Sequence, residues 1–144
     1  MKSVMRYVSQ PGKTFWDGQN LVSGIGCQPE TAFDEFLSTK LLHHKEGGMM
    51  FYHMVQSFPK GADVDPRTAH EAARRLAGYF DGCEVLVCTH VDREHIHSHC
   101  IINSVICSWR AISNMTATPL APSLAAITGL RQLVLCYQLG DLQM

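Results

Sequence analysis

At 144 residues, 46% hydrophobic and 17% charged, the chain has room for one domain with a buried core. A formal charge of −1 withholds the overall basic signature of a nucleic-acid binder. No apolar core follows Met1-Lys2-Ser3 and no run nears the roughly 18 apolar residues of a membrane span, so neither signal peptide nor span is expected. Six cysteines, at 27, 83, 88, 100, 107 and 136, form no C-x-x-C pair. They read as buried, reduced thiols of a cytoplasmic protein.

Residues 1–10 carry Val4, Met5 and Val8 on one helical face, with Tyr7 on the side of Val4 and Val8. Pro11-Gly12 ends this element, and residues 12–20 read as a polar loop. Residues 21–26 form a short strand weakened by Gly24 and Gly26. Pro29 opens a helix whose apolar residues Ala32, Phe33, Phe36, Leu37 and Leu41 run to about residue 42. Residues 49–58 form a strand, with Phe51, His53 and Val55 on one face. Asp65-Pro66 starts a helix, Asp as N-cap and Pro in the first turn. Ala69, Ala72, Ala73, Leu76, Ala77 and Phe80 give it one apolar face, and Glu71 and Arg75 pair on the other. Strands over residues 84–90 and 97–107 follow. After Ser108 only Arg110, Arg131 and Asp141 are charged, and a helix over 124–135 fits its pattern poorly.

Between the last two strands lies the densest chemistry. Four of the eight histidines, at 90, 95, 97 and 99, fall within residues 89–103. Positions two apart on a strand share a face, so His97 and His99 project together. If residues 91–96 reverse the chain, His90 lies beside them. Three imidazoles then converge, a donor set that suits a first-row divalent metal and leaves positions open, as catalytic sites do. Asp92 is close enough to accept a hydrogen bond from the far nitrogen of a ligand histidine, or of His95. A lone His-x-His is commonly a surface feature. Four histidines and an aspartate between two buried strands favour the metal. His43, His44, His53 and His70 read as surface or internally satisfied groups, although His53, on a strand, could line the same cleft. A metal without a carboxylate base beside it calls for a nucleophile. Tyr52, Tyr79 and Tyr137 read as packing residues. Tyr7, just before the turn at residues 9–14, can be exposed and is the candidate.

His90-x-Asp92, His97-x-His99 and Ile102-Asn103 together resemble the third motif of the mobilisation relaxases of plasmids and integrative conjugative elements. These are nickases of the His-hydrophobe-His (HUH) superfamily, and the likeness is nearest to the MobP-like branch. Arg6-Tyr7-Val8-Ser9-Gln10-Pro11-Gly12-Lys13-Thr14 is similar to the first motif, a tyrosine just before a Pro/Gly-Lys-Thr turn. Residues 21–27 and 52–58 also resemble family segments. The resemblance implies an α+β, two-layer fold with a central antiparallel sheet and helices packed on it. It implies that Tyr7 attacks a phosphodiester of single-stranded DNA at an origin of transfer. It implies a divalent metal ion (Mg, Mn or Zn) held by His90, His97 and His99, with Asp92 in a supporting catalytic role. The partners it implies are that DNA, an accessory mobilisation protein and a coupling ATPase.

The sequence departs from the pattern in places. Ser98, not an apolar residue, separates His97 and His99, so His95-Ile96-His97 makes His95 a rival ligand. The strand that usually precedes the tyrosine is missing, and the overall charge is low for DNA, although Lys2, Arg6 and Lys13 cluster near Tyr7. The resemblance ends near residue 107. It divides the chain into a partial catalytic domain, 1–107, and a divergent tail, 108–144, the expected result of a truncated or frame-shifted gene. Two rival functions stay open: a metal-dependent hydrolase using activated water, and a degenerate domain that binds DNA or metal without cleaving.

Overall fold

The computed structural model describes residues 1–80, residues 82–105 and the backbone of residues 134–138. The interior strand β5 (Val85–His90) is buried at all six positions. Since successive residues of a strand face opposite ways, both of its faces must be covered. The chain meets this demand with α1 (Lys2–Val8) and α3 (Ala32–Leu42) on one face and α4 (Pro66–Gly78) on the other. One core joins Met5, Val8, Ala32 and Phe36 to Phe51, Leu86, Cys88 and Ile101. The second joins Ala73, Leu76, Ala77 and Phe80 to Val85, Val87, Cys100 and Ile102. The α+β class and the antiparallel sheet are as expected. The expected two layers become three, because β5 has no solvent face.

The sheet runs β3 (Val22–Ile25), β5, β6 (His97–Asn103), β4 (Phe51–Ser57), β7 (Val134–Gln138), every neighbouring pair antiparallel. β7 comes from the segment read as a divergent tail, and it pairs with the edge of β4. The helix considered over 124–135 lies outside the described residues, save that 134–135 begin β7. The proposed boundary at 107/108 also lies outside them. The charged start of α4 matches its sequence: the Asp65 carboxylate accepts from the backbone N–H of Arg67 at 3.0 Å and of Thr68 at 3.2 Å.

Two segments differ from expectation. Residues 12–20 are not a plain loop: α2 (Pro11–Thr14) leads into a small hairpin, β1 (Phe15–Trp16) and β2 (Gln19–Asn20). Asp17 (φ 45°) and Gly18 (φ 76°) make its turn, the left-handed pair that a two-residue hairpin needs. In α3 the buried row is Ala32, Phe36 and Lys40, while Leu41 and Leu42 are exposed. The i, i+4, i+8 ridge meets the sheet, and the lysine stem completes it while its ammonium donates to Ser104 Oγ. Asn103 also anchors this end, its amide donating to Glu84 Oε2 (2.7 Å) and to the Phe36 carbonyl (3.2 Å). Cys27, Cys88 and Cys100 are unbridged thiols, and burial pushes those of Cys27 and Cys100 up to about 12. No helix among the described residues is long and apolar enough to cross a membrane.

Candidate active site

Register builds the site. Residues 91–96 reverse the chain so that His90 of β5 sits directly opposite His97 of β6. His99, two residues on, faces Cys88 across the same pair and so shares that side of the sheet. The three ring centroids lie 5.0 Å (His90–His97), 4.4 Å (His90–His99) and 5.1 Å (His97–His99) apart. One nitrogen from each ring falls within 4.8 Å of the others. His95 stands outside this group, its ring 5.3 Å from that of His97.

Each ring is oriented by its other nitrogen. His90 Nε2 donates to the Val8 carbonyl at 2.8 Å, and His97 Nδ1 to the His95 carbonyl at 3.3 Å. His99 Nδ1 bonds His53 Nε2 at 2.8 Å. This leaves Nδ1 of His90 and Nε2 of His97 and His99 without a hydrogen-bond partner among the described residues. His90 and His97 donate to carbonyls and so carry the lone pair of the other nitrogen inward, which is how ligand imidazoles are normally held; the His53–His99 bond does the same for His99 when His99 is its donor. Burial pushes His90, His97 and His53 below the ordinary imidazole range. His99 goes down to about 3, through burial first and then the neighbouring histidines. The neutral form that these shifts favour is the form that ligates a metal. Three neutral, converging, pre-oriented nitrogens fit a divalent cation.

Ser98 explains how a polar residue can occupy the position between two ligands. It points to the opposite face, fully buried, with its Oγ 2.8 Å from Thr89 Oγ1. Thr89 Oγ1 is 2.8 Å from His70 Nδ1, and His70 Nε2 is 2.8 Å from Ser23 Oγ. His70 is thus satisfied at both nitrogens, as expected of a histidine outside the site. His53 is the histidine whose part was understated. Its strand β4 pairs with β6, and its ring holds His99.

Tyr7 lies on α1, half-exposed, its ring 6.2 Å from that of His90 and inclined to it at 71°. The Val8–His90 bond ties the end of this helix to the imidazoles. Asp92 is placed otherwise than the sequence suggested. Its carboxylate meets Lys13 Nζ at 3.0 Å and Arg93 Nε at 3.9 Å and, among the described residues, no imidazole nitrogen. Burial pushes the Asp92 carboxyl up, but the hydrogen bond and charge of Lys13 outweigh it and hold the group below the usual range. Lys13 is raised in turn, mainly by Asp92. Its ammonium lies 4.8 Å from the centroid of the Tyr7 ring. Lys13 stands in the first motif, but nothing in the sequence marks it as the partner of Asp92, 79 positions on.

Comparison with known proteins identifies the family. The family model described as "Relaxase: MobA/VirD2-like, nuclease domain" matches residues 7–118. The group II intron-interrupted relaxase LtrB of Lactococcus lactis subsp. cremoris is 31% identical over an alignment of 131 residues, covering 72% of this chain and 23% of that protein. Protein rlx of Staphylococcus aureus is 36% identical over 84 residues, covering 58% of this chain and 26% of its own length. The chain therefore spans about a quarter of the length of these curated relatives. No solved structure matches it.

Proposed function

The chain belongs to the MobA/VirD2-like relaxase family of nuclease domains, and from that premise we propose that it nicks single-stranded DNA at an origin of transfer, with Tyr7 as nucleophile. The observation that carries this reading is the meeting of three inward-facing imidazoles with the half-exposed Tyr7 ring, 6.2 Å from His90. The Tyr7 oxygen attacks the scissile phosphorus and gives up its proton. A P–O(Tyr) bond forms as the bond to the 3′ oxygen breaks. That oxygen leaves as a hydroxyl once protonated, and the 5′ phosphate stays on the tyrosine. No water is consumed, so attack by the 3′ hydroxyl reverses the step and rejoins the strand.

His90, His97 and His99 would hold the divalent cation, Mg, Mn or Zn. When bound it supplies Lewis-acid charge beside a phosphoryl oxygen. The Val8 carbonyl, the His95 carbonyl and His53 keep those rings aimed. Lys2 and Arg6, close to Tyr7 in sequence, supply local positive charge in a chain whose total is −1. The cytoplasm, with its reducing conditions, suits the unbridged Cys27, Cys88 and Cys100. An accessory mobilisation protein and a coupling ATPase complete the expected setting.

The test uses a single-stranded origin-of-transfer oligonucleotide, with Mn or Mg present. The wild-type chain should leave a DNA adduct that survives denaturant, and Tyr7→Phe should leave none. Cleavage that persists in Tyr7→Phe would point to activated water. Wild-type binding without cleavage would point to a degenerate module.

A further inference from the structure

We infer that Lys13 is the positioning residue of the Tyr7 nucleophile, and that Asp92 serves this lysine rather than the imidazoles. The inference rests on the nicking role proposed for Tyr7. Four observations carry it. The Lys13 ammonium lies 4.8 Å from the Tyr7 ring centroid, within reach of the ring's negative face. The same ammonium meets the Asp92 carboxylate at 3.0 Å. The Lys13 carbonyl accepts from the Val91 N–H at 2.8 Å, so backbone and side chain both grip the residues that follow His90. The outer nitrogens of the three imidazoles already have other partners, and the Asp92 carboxylate, although Arg93 Nε lies 3.9 Å away, makes its close contact with Lys13.

Cover separates this ion pair from the outermost one. The side chains of Lys13 and Asp92 are 15% and 23% exposed, against 73% and 76% for Lys60 and Glu94. A fully exposed pair is mobile and contributes little. A pair partly covered by Tyr7 and the residues after His90 has fewer alternative geometries. Asp92 holds the ammonium on the tyrosine ring and away from the DNA backbone, so the lysine orients the nucleophile instead of binding the strand. With the His90 ring across a second side at 71°, the Tyr7 ring is flanked by two fixed groups, and the cationic one carries the charge that a developing oxyanion favours.

The experiment measures two quantities on the origin oligonucleotide: its dissociation constant, and the rate of adduct formation at saturation. Lys13→Met should slow the saturated rate by about 10- to 100-fold while affinity stays within about twofold. Lys13→Arg, which keeps a cation on the ring, should recover most of the rate. Asp92→Asn should slow it too, and the double variant should be no slower than Lys13→Met. Manganese affinity should be unchanged in all three single variants. A Lys13→Met chain that loses affinity but keeps its saturated rate overturns the inference, since the lysine is then a phosphate contact. So does a Lys13→Arg chain as slow as Lys13→Met, or an Asp92→Asn chain that loses manganese affinity. If the wild type forms no adduct, the nicking reading fails first, and the result is distinguishable from any of these.

Discussion

The two faces of the β5–β6 pair hold histidine in opposite conditions. On one face His90, His97 and His99 each spend one nitrogen on the protein and keep the other turned inward. On the other, His70 spends both, on Ser23 and Thr89, and the chain of hydroxyls continues to Ser98. All four lie below the ordinary imidazole range because of burial. Burial and depressed basicity therefore do not identify the site. Unspent nitrogens do, and their sharing of one side of the pleat does.

That contrast can be broken in order of effect. His99→Ala removes one of three inward nitrogens, and adduct formation should fall about 10³-fold, the rate equivalent of several kcal/mol of lost charge stabilisation. Titration with manganese should show the loss of binding directly. His53→Ala removes only the partner of His99, so metal affinity should fall about 10- to 100-fold while the saturated adduct rate suffers less. His70→Ala should leave metal affinity unchanged and lower unfolding stability by about 1–3 kcal/mol, because Thr89 and Ser23 lose a partner. If manganese affinity falls as far in His70→Ala as in His53→Ala, the two faces are not independent.

The smallest effect is the pH dependence. Burial lowers His70 to about 4, whereas an unfolded histidine titrates near 6.5. Between those values the unfolded chain binds the extra proton, so stability rises with pH there. The metal-free protein should lose stability as pH falls from about 6.5 toward 4, and His70→Gln should flatten part of that slope in urea unfolding. A slope unchanged by the substitution would sink the assignment to His70.

The sequence made the cradle legible because strand periodicity is strict. His97 and His99 must share a face, and a short reversal brings His90 to them. The helix over 66–78 was legible for a similar reason, since Asp65-Pro66 is a local signal. His53 was only half legible, because its role depends on which strand lies beside β6, and pairing of β4 with β6 is a long-range choice. Lys13 was invisible as the partner of Asp92, since no local rule relates residues 79 positions apart. The hairpin at 15–20 did carry a local cue, Asp17-Gly18, but Phe15-Trp16 and Gln19-Asn20 lack the alternation that marks flanking strands. Lys40 was hidden by its charge, which says nothing of how its stem packs.

The hydrogen bond from His90 to the Val8 carbonyl also sets a clock. It joins positions 82 residues apart, so the helix bearing Tyr7 leaves the ribosome well before its anchor is made. At the usual pace of synthesis the interval is roughly 4–16 seconds. During it, Tyr7 has neither an imidazole cluster beside it nor the Asp92 that holds its lysine. The contacts that surround Tyr7 therefore form only once translation has passed the second strand of the histidine pair.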